Sequence, residues 1–312
     1  MIITLTPNPS VERTMLVDRI KFNEILRAAP AQLEWSGKGI NVSRGLRMFR
    51  QNSLAIAWVG GGAGKMLEDG LEKLGIQTDF VWVDGETRTN TVLREEDNDW
   101  YMLVNEHGPF IPPEAIDEMF AKVERYASPG DIWVVGGSLP PGVPEDFYAT
   151  LIRMLKARGV HVIFDATGPC FKPGIEENPW LLYPEITEAE RLMGYEIRTF
   201  DIAKRAAMGF LSKGVEYLAL VLETGGTLVA SRDLMVATIP PKVPSLRVTG
   251  LRGAFMAGLA DGFAKKLPLV EIARRASATR VAYVSHQDYS VIQKEEFMEL
   301  LAQVEVRSIP LV

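Results

Sequence analysis

The sequence predicts an α/β fold built on a mainly parallel sheet covered by helices. Two observations carry that expectation. From Pro112 onward, short apolar runs rich in β-type residues alternate with amphipathic helical segments, and such alternation builds parallel strands joined by helical crossovers. The chain also opens on an apolar strand, residues 2–5, stopped by Pro7 and Pro9. A length of 312 residues with 47% hydrophobic content is ample for a sizeable buried core.

Taken in order, Glu12 and Arg13 follow the first strand and lead into a mixed segment, residues 15–22. Ser36-Gly37-Lys38-Gly39-Ile40-Asn41 opens a helical pattern in which Val42, Leu46 and Phe49 recur near helical spacing. A glycine-rich turn with a lysine at a helix start suits a phosphoryl group. The strand at 54–60 runs into Gly60–Met66, which imitates two nucleotide motifs and satisfies neither. A Walker A loop would need glycine where Val59 stands and a hydroxyl where Met66 stands, and a dinucleotide fingerprint would need glycine at Lys65. It reads as a strand-to-helix turn before a helix at 66–75. Residues 79–107 then alternate in strand fashion, with Asp97-Asn98-Asp99 as a hairpin turn. Arg88 and Asn90, two residues apart, share one face of their strand, a guanidinium beside an amide.

Beyond Pro112 the expected helices are 114–126, 145–159, 187–194 and 202–214, and the strands are 132–139, 161–168 and 217–223, with a hairpin at 227–239. Ligands in open sheets of this kind sit at the carboxyl ends of strands, where Ser138 and Asp165 fall. Asp165 equally suits a helix cap or a turn, and no chemistry is assigned to it. Residues 246–263 read as a strand or loop end feeding a helix through Gly250-Leu251-Arg252-Gly253. Such a helix start is either a tight turn or an anion seat. Residues 269–304 read as two amphipathic helices.

Composition narrows the function. A net charge of −6 argues against nucleic acid held on a basic surface. The single Cys170 excludes an internal disulfide framework and fits a reducing, cytoplasmic setting. No secretory signal pattern and no apolar run near the ~18 residues of a membrane span is visible. One cysteine and three scattered histidines make a poor zinc set.

Six stretches together resemble the ribokinase-like (PfkB-type) carbohydrate kinases, in family order and over nearly the whole length. They are T-P-N-P at 6–9, S-G-K-G-I-N at 36–41, T-R-T-N at 87–90, N-E-H-G-P at 105–109, G-G-S-L-P-P-G at 136–142, and 246–263. The branch they are most similar to is that of 1-phosphofructokinase and tagatose-6-phosphate kinase. The resemblance implies one ribokinase-like domain over 1–312, with a β-sheet lid formed by about 11–35 and 79–107 that commonly joins two subunits into a homodimer. It implies a phosphorylated sugar as ligand, contacted by Glu12, Gly37, Lys38, Gly39, Asn41, Arg88, Asn90, Asn105 and Ser138, and ATP with Mg²⁺ as cofactors.

The departures gather on the nucleotide and transfer side. The family's G-A-G-D, an anion hole followed by the catalytic base, stands here as Gly250-Leu251-Arg252-Gly253, so the base position is Gly253. Its K-P-N-x-x-E stands as Tyr183-Pro184-Glu185-Ile186-Thr187-Glu188, which leaves Glu188 as the remaining metal-side acid. Its S-x-G-x-x-G stands as Val221 to Gly226 with Glu223 in a glycine position. Asp261, eight residues along the same helix and about 12 Å away by rise, cannot replace the base. Two functions follow as expectations. One is a kinase scaffold that binds a phosphorylated ketose without ordinary ATP-dependent transfer. The other is an active sugar or sugar-phosphate kinase with unusual residues, Glu185 and Glu188 holding Mg²⁺. Arg252, at the positive end of a helix, is expected to recruit an anion or to turn toward Glu185 or Glu223.

Overall fold

The first strand lies inside the sheet, not at its edge. In the computed structural model, which describes residues 1–96, 100–286 and 294–310, Ile2–Thr6 (β1) pairs in parallel with Leu54–Val59 (β4) on one side and Ile132–Gly137 (β9) on the other. All three are buried along their length, the pattern of parallel strands covered on both faces. Beyond β9 come His161–Ala166 (β10), Leu181–Leu182 (β11) and Tyr217–Val221 (β12), all in parallel. Thr227–Ala230 (β13), Met235–Ile239 (β14) and Glu305–Ile309 (β15) then continue the sheet antiparallel. At the other end β4 carries Gln77–Thr78 (β5) and Val81–Trp82 (β6).

Helices cover both faces. Pro113–Tyr126 (α3), Phe147–Ala157 (α4), Phe171–Glu176 (α5), Ile186–Met193 (α6) and Phe200–Ser212 (α7) supply one core, centred on Trp58, Trp133, Phe147, Phe164 and Phe210. Lys38–Leu46 (α1), Gly61–Lys73 (α2), Leu251–Ala264 (α8) and Leu269–Ser285 (α9) take the other face, with Lys294–Gln303 (α10) packed outside α9. Helix α8 is buried without a break from Gly253 to Gly262. Its small residues let α1 and α9 close on it from either side, Gly45 against Ala257 and Gly258 against Ala276. Asp261, excluded above as a base, is fully buried there and ion-paired to Lys265 and Arg275.

A separate four-stranded sheet stands over the carboxyl ends of the parallel strands. Its order is Gln32–Ser36 (β3), Ser10–Val17 (β2), Arg88–Glu95 (β7) and Tyr101–Val104 (β8). Residues 79–107 do not all belong to it: Val81–Trp82 pairs with β4 in the large sheet, so the small sheet resumes only at Arg88. The turn read at Asp97-Asn98-Asp99 lies outside the described residues, while the strands flanking it pair antiparallel. The turn expected over Gly60–Met66 is confined to Gly60, because α2 already begins at Gly61, and the Glu86 carboxylate accepts from the Ala63 amide in its first turn.

The segment before α8 fastens the two sheets together. Arg94 on β7 donates to the carbonyls of Ser245 (2.9 Å) and Leu246 (2.7 Å). Arg247 pairs with Glu34 on β3, and the Thr249 hydroxyl donates to Glu12 on β2.

Candidate active site

At the carboxyl ends of β9, β10 and β11, where the small sheet, α1 and α8 converge, four charged side chains form one cluster. Asp165 near the end of β10 is fully buried. Lys38, first residue of α1, donates from Nζ to Asp165 Oδ1 (3.0 Å) and to Glu185 Oε1 (2.9 Å). Arg252 in the first turn of α8 donates from Nε to Asp165 Oδ2 (3.1 Å) and from Nη2 to Asp165 Oδ1 (2.9 Å) and the Tyr183 carbonyl (2.7 Å). Its guanidinium lies 3.9 Å from the centre of the Tyr183 ring, a cation–π contact in a desolvated place. Arg252 Nε is 3.9 Å from Glu185 Oε1. Two cations face two carboxylates, so the cluster is neutral within itself.

The electrostatics follow. Burial alone would raise the Asp165 carboxyl, but the charges of Arg252 and Lys38 outweigh it and hold the group below the ordinary carboxylate range. Desolvation works against the Arg252 charge, and Asp165 more than compensates, so Arg252 stays firmly protonated. Burial pushes the Tyr183 phenol up.

The cluster corrects one expectation and supplies a residue that sequence reasoning passed over. Arg252 does turn toward carboxylates, but Asp165 is its main partner, with Glu185 at the margin. Glu223 is not involved: it pairs at the surface with Arg198, beside the turn that joins β12 to β13 and contains Gly226. Two cations expected at one pocket, with an Asp ending an apolar strand between them, was the available signal for Asp165.

On the small-sheet side a second polar group assembles. Arg88 donates from Nη2 to the Asn8 carbonyl (2.9 Å) and from Nη1 to the Glu106 carbonyl (3.2 Å). Asn8 in turn donates to the His107 carbonyl (2.9 Å) and to Ser138 Oγ (3.3 Å). Asn90 donates to Ser10 Oγ (3.1 Å). Three atoms here, Asn8 Oδ1, Asn90 Oδ1 and Arg88 Nε, are buried with no hydrogen-bond partner among the described residues, an arrangement that calls for a partner from outside the chain. Glu12, directly across from Asn90 in the strand register, is buried, and that burial raises its carboxyl despite the Thr249 hydroxyl bond. Asn105 stands exposed beyond the end of β8 and joins none of these contacts.

The Gly37–Asn41 turn brings the two groups together. Gly37 has φ 139°, and a Cβ there would meet Thr6 Cγ2 at 2.6 Å. Gly39 packs on the same threonine, whose Oγ1 accepts from the Ile40 amide (3.0 Å). This close approach of α1 to β1 sets Lys38 toward Asp165 and buries Asn41 against α8.

At the start of α8, Gly250 is left-handed with φ 78° and has the Tyr283 hydroxyl against it. Gly253 faces Asn41 so closely that a Cβ would lie 2.4 Å from Asn41 Cβ. Glu188 is fully engaged: Oε1 accepts from the Gly168 amide (2.9 Å) and Oε2 from Arg191 (2.6 Å and 3.0 Å). With Glu188 occupied and Glu185 and Asp165 held by cations, these carboxylates as arranged present no free ligand set for Mg²⁺. Among the described residues no cluster of three or more His, Cys, Asp or Glu side chains could hold a metal ion, and no helix is long and apolar enough to cross a membrane.

Comparison with known proteins agrees with this architecture. The sequence pattern of the pfkB family carbohydrate kinases matches residues 8–294. A tagatose-6-phosphate kinase of Staphylococcus epidermidis is 27% identical over 310 residues, covering 98% of this chain and 99% of that protein. Phosphofructokinase-2 from Escherichia coli, in a crystal structure with substrates and products, superposes with a TM-score of 0.91 at 23% identity, covering 96% of this chain and 98% of that one. A protein from Thermotoga maritima, described as a "possible 1-phosphofructokinase", gives a TM-score of 0.88 at 25% identity, covering 99% of this chain and 100% of the other.

Proposed function

This chain belongs to the pfkB family of carbohydrate kinases, and from that premise we propose that it binds a phosphorylated ketose while ATP-dependent transfer is suppressed. The observation that carries the reading is the Lys38–Asp165–Arg252–Glu185 cluster. Phosphoryl transfer is catalysed by positioning and by cations free to meet the charge of the transferring group. Here both cations are already neutralised from within. The general base, worth 10²–10⁴-fold in rate, is absent at Gly253. The sugar side is differently disposed. Arg88, Asn8 and Asn90 keep buried, unpartnered polar atoms, a set suited to phosphate and hydroxyl groups. Ser138 and Asn41 border them. A ketose phosphate is the ligand class named for the relatives above, the tagatose-6-phosphate kinase and the phosphofructokinases.

The same reading includes a homodimer through the small sheet. Leu33, Arg13, Thr91 and Val104 are successive partners across its four strands, so they share the face opposite Glu12. Leu33 is 44% exposed and Val104 54%, an apolar pair that a second copy would cover.

A second reading, an active sugar-phosphate kinase with unusual residues, has one observation in its favour. Glu12 is a buried carboxylate with a raised pKa, joined to Thr249 beside the start of α8. A carboxylate so poised is a better base than an ordinary one.

Calorimetric titration with fructose 1-phosphate, fructose 6-phosphate, tagatose 6-phosphate and ATP–Mg²⁺, each alone, tests the proposal. Saturable binding of a ketose phosphate with turnover at background is the expected result. No sugar phosphate binding by folded protein would overturn it. Turnover of about 1 s⁻¹ or more, abolished by Glu12→Gln, would establish the second reading.

A further inference from the structure

A cleft of about 470 Å³ opens at the opposite edge of the large sheet, between the amino ends of the parallel strands and the α8–α9 turn. Four aromatic side chains meet in its wall. Trp180, just before β11, has its ring centre 4.4 Å from that of His161, 5.1 Å from that of Tyr217 and 4.6 Å from that of Phe263. Tyr217 and Phe263 meet each other at 4.9 Å. Ile132, Leu267, Leu269, Ile272 and Lys266 are among the other lining residues. All these rings are only partly buried, and the volume falls in the range of small-molecule sites.

The cleft is separate from the cluster at Asp165. His161 begins the strand on which Asp165 stands near the far end, and Phe263 lies eleven residues along α8 from Arg252, about 16 Å by helical rise. A ligand here would touch neither the sugar-side residues nor the four charges.

The polar groups on the rim indicate what would bind. Neither the Trp180 indole N–H, the His161 ring nitrogens nor the Lys266 ammonium has a hydrogen-bond or ion-pair partner among the described residues. Burial, and after it the neighbouring Glu216 carboxylate, push the Tyr217 phenol up, so it stands as a neutral hydroxyl beside these nitrogen groups. Lys266 is held in place by the helix end it closes: φ is 54°, and its amide donates to the Phe263 carbonyl (2.9 Å). Aromatic faces bordered by N–H donors and one ammonium favour a flat, apolar body carrying a negative group. We propose that this cleft is a binding site for a small planar aromatic carboxylate.

The test uses 2-naphthoate as probe, with neutral 2-naphthylmethanol beside it, titrated into the full chain by calorimetry or saturation-transfer NMR. Naphthoate should saturate with a Kd below about 1 mM, and the alcohol should bind at least about tenfold more weakly. Lys266→Gln, on the exposed rim, and Trp180→Leu should each weaken naphthoate by about tenfold or more, while Met208→Ala on α7 should leave it unchanged. No saturable binding would overturn the site. Equal affinity for the alcohol, or binding that survives Lys266→Gln, would overturn the ligand class. Binding that survives both cleft variants would place the probe elsewhere and overturn the proposal entire.

Discussion

Asn41 Cβ occupies the space into which a side chain at position 253 would grow: a Cβ added to Gly253 would lie 2.4 Å from it and 3.1 Å from the Asn41 carbonyl carbon. Both are inflexible parts of a helix start, so the contact cannot be relieved by rotating a distant side-chain tip. Position 253, where the resemblance places the family's base, therefore has no room for a side chain.

Gly253→Asp should consequently fail to restore transfer and should destabilise the fold by about 1–3 kcal/mol, the scale of overpacking a core. Denaturant unfolding and a coupled ATP assay on the same preparation check both halves. Full stability with strong rescue would contradict the contact.

Asp165→Asn leaves two cations around a neutral amide. Removing one partner of a buried ion pair destabilises by about 3–5 kcal/mol, and the denaturation midpoint should fall accordingly. Adding Arg252→Gln should recover part of the loss, because the two residues are coupled rather than additive.

The pH dependence has opposite signs at two carboxyls. Asp165 is held below its ordinary value of ~3.9, so its contribution is full above that value and is lost as the pH falls through the lower folded value. Glu12 is raised, so its contribution is full below ~4.3 and is lost as the pH rises through the higher folded value. The stability gap between the native chain and Asp165→Asn should narrow on going from pH 6 to pH 3. Glu12→Gln should become progressively more favourable relative to the native chain as the pH rises from 4 to 7.

Arg88→Ala should weaken ketose phosphate binding by about 1.5–3 kcal/mol, the scale of a charged hydrogen bond. Arg88→Lys should not restore it, since an ammonium cannot reproduce the fork that reaches Asn8 and Glu106. Calorimetry with a parallel melting curve separates lost affinity from lost structure.

Much of the architecture was legible because its signals are local. The alternation after Pro112 gives β9, α4, β10 and α7 to within a few residues. Two strands that escaped, β5 and β11, are two residues long, too short to show a period, while β6 lies in a stretch read as strand but belongs to the large sheet. β15 escaped too, because its pairing with β14 is decided by the sheet edge and not by its own mixed residues. Within the site, Arg88, Asn90, Lys38 and Ser138 could be singled out from sequence. Asp165 was placed at the carboxyl end of its strand but given no role, because its partners lie 127 and 87 residues away in the chain. Glu34, joined to Arg247 and Arg44, was hidden for the same reason.

The hold of Arg94 on residues 245 and 246 is made to carbonyl oxygens alone. Every residue type offers that group, so the identities of Ser245 and Leu246 are immaterial to these two bonds, whereas they depend wholly on Arg94. One side of the fastening is thus open to evolutionary drift and the other is not. A lineage could vary residues 245 and 246 without losing these two bonds, so long as Arg94 stays.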